Sequence, residues 1–257
     1  LLDHLPENAT PALVHNDFRN GNIMVDPDGI VAVLDWEVAY IGDPMRDLGW
    51  ILTHSWRFGR DDLPVGGFGE VADLFAGYES VSGKAVDRES VKFWQIFGSF
   101  WWAVGCLGMA EHYRNGPDKT VERPAIGRRS SECQVDCVNL LIPGSVALEK
   151  PVKAAAAMPA MGELLTSVSD FLRDEVMAHT QGRMQFLARV AANSLDIVQR
   201  EQALATPGLV NEEQRLKELV GGTDDSPLGL DDLRWRLVHA LRDGSMPLDS
   251  ELLQGHL

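Results

Sequence analysis

The residues best placed to do chemistry lie between positions 15 and 35. The run His15-Asn16-Asp17-Phe18-Arg19-Asn20-Gly21-Asn22 sets a carboxylate two positions after a histidine and a carboxamide five positions after that carboxylate. Asp35 follows Asn22 by thirteen residues, behind the apolar run Val31-Ala32-Val33-Leu34. A carboxylate facing an alcohol can take its proton as the oxygen attacks phosphorus. A carboxamide oxygen and a second carboxylate are hard oxygen donors, suited to divalent cations lying across phosphates. His-x-Asp-x-x-x-x-Asn, followed by a strand that ends in Asp, is therefore a pattern for phosphoryl transfer. Asp and Asn also serve as turn and cap residues, and His-x-Asp alone would carry little. The reading rests on the joint occurrence of the spacing, a hairpin between the donors, Asp35, and the helix start Gly42-Asp43-Pro44 with Asp47-Leu48 beyond it.

The elements that must position these groups can be read from composition and period. Ala12–Val14, Asn22–Val25 and Ile30–Leu34 are short apolar runs. Asp26-Pro27-Asp28-Gly29 between the last two is a tight-turn sequence, so these two strands are expected to pair as an antiparallel hairpin. Such a hairpin returns the chain and brings residues before and after it to one end. Asp43 before Pro44 caps a helix reaching about Trp56. Further helices are predicted over 69–81, 87–116 and 125–141. Residues 143–160, with three prolines and an alanine run, read as a linker between domain 1–142 and domain 161–257. The second domain is predicted to be all helical. Leu164, Leu165, Val168, Phe171, Leu172 and Val176 form one apolar stripe, and Leu187, Val190, Ala191, Ser194, Ile197 and Val198 form another. Shorter helices are expected at 211–220, 230–243 and 248–255.

The segment LVHNDFRNGNIMVDPDGIVAVLDWEVAYIGDPMRDLGW resembles the catalytic loop and metal-binding strand of the aminoglycoside phosphotransferase and choline kinase-like family. Within it, the segment is most similar to bacterial and mitochondrial phosphotransferases associated with acyl-CoA dehydrogenases. The resemblance continues more weakly to Leu141 through Glu122-Arg123-Pro124-Ala125-Ile126-Gly127-Arg128-Arg129. It implies a protein-kinase-like C-terminal lobe, ATP as co-substrate, Mg²⁺ as cofactor and a small-molecule hydroxyl as acceptor. Asp17 would be the catalytic base or hydroxyl-orienting carboxylate, and Asn22 and Asp35 the Mg²⁺ ligands. Arg19 would offset charge near the transferring phosphate, or else form a surface ion pair. His15 and Asp47 would brace the loop. Glu37 could touch a metal through water or be a solvated strand-end acid, and Trp36 and Trp50 are assigned to packing.

The family places a glycine-rich loop and a strand lysine ahead of the catalytic loop, and only twelve residues precede Leu13. The N-terminal lobe is therefore expected to be absent from this chain, the chain to be a piece of something longer, and the chain alone to be inactive. Val65-Gly66-Gly67-Phe68-Gly69 comes after the metal-binding strand and reads as a connector. The alternative is a catalytically incomplete, kinase-like binding or regulatory protein. Residues 161–257 hold no triad, metal cluster or phosphate loop; His179, His239 and His256 are isolated. The run from Met158 through Glu201 resembles a short helical domain of unknown function that accompanies such phosphotransferases, here read as an interaction or regulatory module.

Composition bounds the rest. The 257 residues carry 23 Lys+Arg against 38 Asp+Glu, a net charge of −15, and are 45% hydrophobic and 24% charged. Those are globular values, and the acidic balance argues against nucleic acid as a partner. The fold class is mainly α with a small β-hairpin region. The uncharged run Phe93–Ala110 is interrupted by Gln95, Ser99 and three glycines, and reads as a buried helix rather than a membrane span. Cys106, Cys133 and Cys137 lack metal-ligand spacing and read as reduced thiols. No signal peptide is visible, so a cytoplasmic location is expected; the oligomeric state is left open.

Overall fold

The computed structural model describes residues 1–142 except Asn8, together with Gly144, residues 161–221 and residues 228–256. The predicted linker 143–160 thus lies outside the described residues apart from Gly144. The chain divides into two compact units, one of Leu1–Glu111 with Gly127–Leu140, the other of His112–Ile126 with Leu141–Leu257. The described residues are mostly helical, with two small antiparallel sheets.

In the first unit, β2 (Ile23–Asp26) and β3 (Gly29–Val33) form the predicted hairpin, in the register Ile23↔Val33. Asp26 Oδ1 accepts the amides of Asp28 at 2.8 Å and Gly29 at 3.1 Å, which folds the turn back on its own side chain. A second sheet is not foreseen by the sequence: β1 (Ala12–Val14) pairs with β4 (Tyr40–Gly42), Leu13 opposite Ile41. Nothing local marks Tyr40–Gly42 as a strand; its partner lies almost thirty residues earlier in the chain.

Helix α1 (Met45–Leu52) begins one residue after Pro44, the predicted first helical position, and is shorter than expected. Asp43 Oδ1 accepts the Met45 amide at 2.9 Å, while its Oδ2 accepts the Trp94 indole N–H at 2.7 Å. The cap therefore also ties α1 to the helix that carries Trp94, Arg88–Asn115. After Leu52 the chain turns through a short 3₁₀ segment, His54–Trp56. Helices α2 (Val71–Ser82), α3 (Arg88–Asn115) and α4 (Glu122–Leu141) fall within a few residues of expectation.

Met45, Leu48, Ile51, Leu52, Val65, Phe75 and Val91 make the core, and Phe18 and Ile23 pack against it. Val65–Gly69 is a connector, as predicted: Gly67 holds φ +79° where a Cβ would lie 2.5 Å from the Arg57 carbonyl oxygen.

α3 buries one face, through Phe93, Ile96, Ala103 and Cys106, and exposes Phe100, Val104 and Leu107. The expectation of a wholly buried helix is corrected to a half-buried one, because only one stripe meets the core. Among the described residues no helix is long and apolar enough to cross a membrane. The three cysteines are free thiols, with Cys133 and Cys106 buried. Cys133 Sγ lies 3.5 Å from Ser55 Oγ, and Cys137 Sγ points at the Ile96 carbonyl of α3.

The second unit contains α5 (Met161–Asp170), a π-helical segment (Phe171–Met177), α6 (Gly182–Val220), α7 (Leu230–Arg242) and α8 (Glu251–His256). Two expectations are corrected here. The separate helix at 211–220 is the C-terminal part of α6, which continues through Pro207. The proline removes one amide donor, but packing of α6 against α5, α7 and α8 sustains the helix on both sides. The stripe over α5 and the π-helical segment also divides: Leu164, Val168 and Phe171 are exposed, whereas Leu165, Leu172 and Val176 are half-buried.

Glu212 on α6 accepts two hydrogen bonds from Arg234 on α7, both at 2.7 Å. The guanidinium holds this carboxyl below its ordinary value of 4.5. The lowered folded-state value means that its contribution is complete above about pH 4.5 and is lost as pH falls through that lowered value. Thermal melts between about pH 3 and pH 6 are expected to show Glu212→Gln about 1 kcal/mol less stable at the upper end, with the difference narrowing as pH falls toward the lower end.

Candidate active site

The loop between β1 and β2 is held by the first turn of α1. Asp47 accepts the His15 amide on Oδ2 at 2.7 Å and the Asn16 amide on Oδ1 at 2.8 Å. Burial raises the Asp47 carboxyl above the usual range, and the two amides and the Arg46 charge offset only part of that rise. The pairing of β1 with β4 makes this contact possible, because it brings His15 beside the chain that enters α1. Asn16 takes a left-handed backbone, φ 69°, tolerated by Asn because its short polar side chain bonds locally. It donates to the Val38 carbonyl at 3.2 Å and accepts from Arg46 Nε. Arg46 in turn lies 4.8 Å from the Phe97 ring and 5.1 Å from that of Trp94.

His15 is 2% exposed and makes two ring contacts. Its Nδ1 accepts the Asp17 amide at 3.1 Å, so Nε2 carries the hydrogen and donates to the Leu34 carbonyl at 2.8 Å. The Leu34 amide donates to the Asn22 carbonyl at 2.8 Å. Leu34 is thus bonded to both ends of the His15–Asn22 loop, and Asp35 follows it. The Trp36 ring, 4.6 Å from that of His15, covers the same junction.

The Asp17 carboxylate meets three donors. Arg19 Nε reaches Oδ1 at 3.1 Å, Trp50 Nε1 reaches Oδ1 at 2.9 Å, and Asn22 Nδ2 reaches Oδ2 at 2.7 Å. Asn22 is buried and also donates to the Asp17 carbonyl at 2.9 Å. Its Nδ2 is therefore committed to Asp17, and its Oδ1 takes no donor among the described residues. Arg19 lies with its guanidinium carbon 4.9 Å from the Trp56 ring. Asn20 donates to the Gly66 carbonyl at 2.9 Å, so the glycine-rich connector buttresses the loop.

The structure thus brings Asp17, Arg19 and Asn22 into direct contact, with His15 and Asp47 fixing the backbone around them. Asp35 is placed next to this group through Leu34 but touches neither Asp17 nor Asn22; it is exposed and its backbone is left-handed, φ 65°. The strand ends at Val33, two residues before Asp35. Glu37 is exposed. Sequence reasoning missed Trp50, assigned to packing alone; its place in the first helical turns after Asp47 was the available signal. Among the described residues, no three His, Cys, Asp or Glu side chains are grouped to hold a metal by themselves.

A buried histidine, a carboxylate that accepts from three donors, a carboxamide oxygen without a donor among the described residues and a second carboxylate beyond the hairpin thus stand around one loop. Residues 1–83 match the family described as Phosphotransferase enzyme family, and residues 178–257 match Domain of unknown function (DUF6285). Over 49 residues the chain is 43% identical to acyl-CoA dehydrogenase family member 10 of Mus musculus, covering 18% of this chain and 5% of that protein. It is 29% identical over 129 residues to the probable acyl-CoA dehydrogenase IBR3 of Arabidopsis thaliana, 45% of this chain and 16% of that one. With acyl-CoA dehydrogenase family member 11 of Homo sapiens it shares 45% identity over 60 residues, 22% of this chain and 8% of the relative. The aligned segments thus span less than a fifth of the length of each of these relatives. No solved structure matches the chain.

Proposed function

We propose that residues 1–142 are the kinase-like catalytic lobe of an ATP- and Mg²⁺-dependent phosphotransferase that moves the γ-phosphate onto a small-molecule hydroxyl. The observation that carries this reading is the hydrogen-bonded set of Asp17, Arg19 and Asn22, with Asp35 tied to it through Leu34. Asp17 orients the acceptor hydroxyl and takes its proton. Arg19, a partly exposed cation beside Asp17, is within reach of charge that develops on a phosphoryl group.

The donor set suits Mg²⁺. Asn22 has one free oxygen and Asp35 one free carboxylate, which is few for an all-protein cage. Mg²⁺ is usually held by one or two carboxylates together with substrate phosphates and water. When bound, it would screen charge on the nucleotide phosphates. Among acceptors we favour a hydroxyacyl compound, since the relatives are acyl-CoA dehydrogenase family members; an aminoglycoside has only the acidic surface in its favour.

The test is ADP release by the full-length protein with hydroxyacyl-CoA, choline-like or aminoglycoside acceptors. Release that depends on Asp17 and on a hydroxyacyl acceptor supports the reading; no Asp17-dependent release with any of the three rejects it. Asp35→Asn is expected to raise the Mg²⁺ concentration for half-maximal rate about tenfold or more. An unchanged Mg²⁺ requirement would remove Asp35 from the cation site.

A further inference from the structure

Trp50 has a polar partner that its apolar surroundings conceal. We infer that Trp50 is a positioning residue for Asp17, which turns the Oδ2 atom of that carboxylate toward the acceptor hydroxyl; the inference rests on the phosphotransfer reading above. The argument is one of acceptor sites. Each carboxylate oxygen accepts about two hydrogen bonds. Oδ1 of Asp17 receives both Arg19 and Trp50 and is full, whereas Oδ2 receives Asn22 alone among the described residues. An incoming hydroxyl therefore donates to Oδ2.

The three donors differ in rigidity. Arg19 hangs on a flexible, partly exposed stem. Asn22 splits its amide between the side chain and the backbone of Asp17. Trp50 is 3% exposed, and its ring sits 5.0 Å from Trp56 and 5.3 Å from Trp101 in tilted and edge-on contacts. Its seat is shaped by Gly98 on α3. A Cβ at that position would lie 2.9 Å from Trp50 Cε3 and 3.0 Å from Thr53 Oγ1. The absent side chain leaves room for the indole, so two helices outside the catalytic loop decide which way Asp17 faces.

Two measurements test this. In the ¹⁵N-labelled chain, Trp50→Phe identifies the Trp50 indole signal among the seven tryptophans by its loss. Asp17→Asn is expected to shift that signal upfield, since it weakens a charge-assisted bond. In the full-length protein, ADP release from Mg²⁺-ATP is followed with water or with the best acceptor found. Trp50→Phe is expected to lower kcat about 10–10²-fold with KM for ATP within about twofold, because the lost contact is to the base and not to the nucleotide. Gly98→Ala displaces the indole without removing it, and is expected to move the same signal and lower kcat in the same sense. An indole signal indifferent to Asp17→Asn, or an unchanged kcat in either variant, overturns the positioning role. Wild-type protein without Asp17-dependent ADP release removes the phosphotransfer reading and this role with it. The indole shift would still report the bond, so the two failures are told apart.

Discussion

Asp17→Asn is expected to lower phosphate transfer by the full-length protein about 10²–10⁴-fold, the usual worth of a lost general base. The surrounding donors dictate how the variant sits. Arg19 and Trp50 both point N–H groups at Oδ1, so the introduced carboxamide must keep its oxygen there. Its NH₂ then takes the place of Oδ2, the atom that faces Asn22 Nδ2 and the acceptor. The substitution removes the proton-accepting atom and sets two donors against each other, a conflict of about 1–2 kcal/mol. Turnover should therefore collapse while the thermal melt of the chain stays cooperative and moves by only a few degrees. Steady-state ADP release and a melt on the same preparation check both parts. An active variant would exclude Asp17 as the base.

The second large effect falls on stability. Asp47→Ala leaves the His15 and Asn16 amides without their acceptor in a partly buried site. An unmet buried donor costs about 1–3 kcal/mol, so the pair is expected to cost about 2–6 kcal/mol. Asp47→Asn keeps one of the two acceptors and should fall near half that cost. Denaturant unfolding separates the three proteins. Because the amides belong to the loop that carries Asp17, activity should fall with stability in the Ala variant even under conditions where it remains folded. Equal stability of wild type and Ala variant would show that the loop holds its shape without α1.

Much of this site is legible one residue at a time. The His15, Asp17, Asn22 and Asp35 spacing, the Asp26–Gly29 turn and the Asp43-Pro44 helix start each depend on short-range stereochemistry: fixed offsets, an Asx-type turn, a proline whose missing amide suits a first helical turn. Such features are written in neighbouring residues. The helices of the second unit are legible for the same reason, since periodicity of about 3.6 residues is local, although the identity of the buried stripe on α5 and the continuity of α6 through Pro207 are not.

What the tertiary structure alone decided is which distant groups meet. The pairing of Ala12–Val14 with Tyr40–Gly42 has no signature in either triplet, yet it delivers His15 and Asn16 to Asp47. Trp50 looks apolar in sequence because an indole is mostly hydrocarbon; only folding shows its one N–H facing Asp17. Gly98 looks like a diluted apolar helix until the Trp50 ring is seen against it. The residues that can do chemistry are fixed by the order of the chain, but the direction in which Asp17 faces is set by packing between α1 and α3, and packing is a property of surfaces that meet only in the folded state.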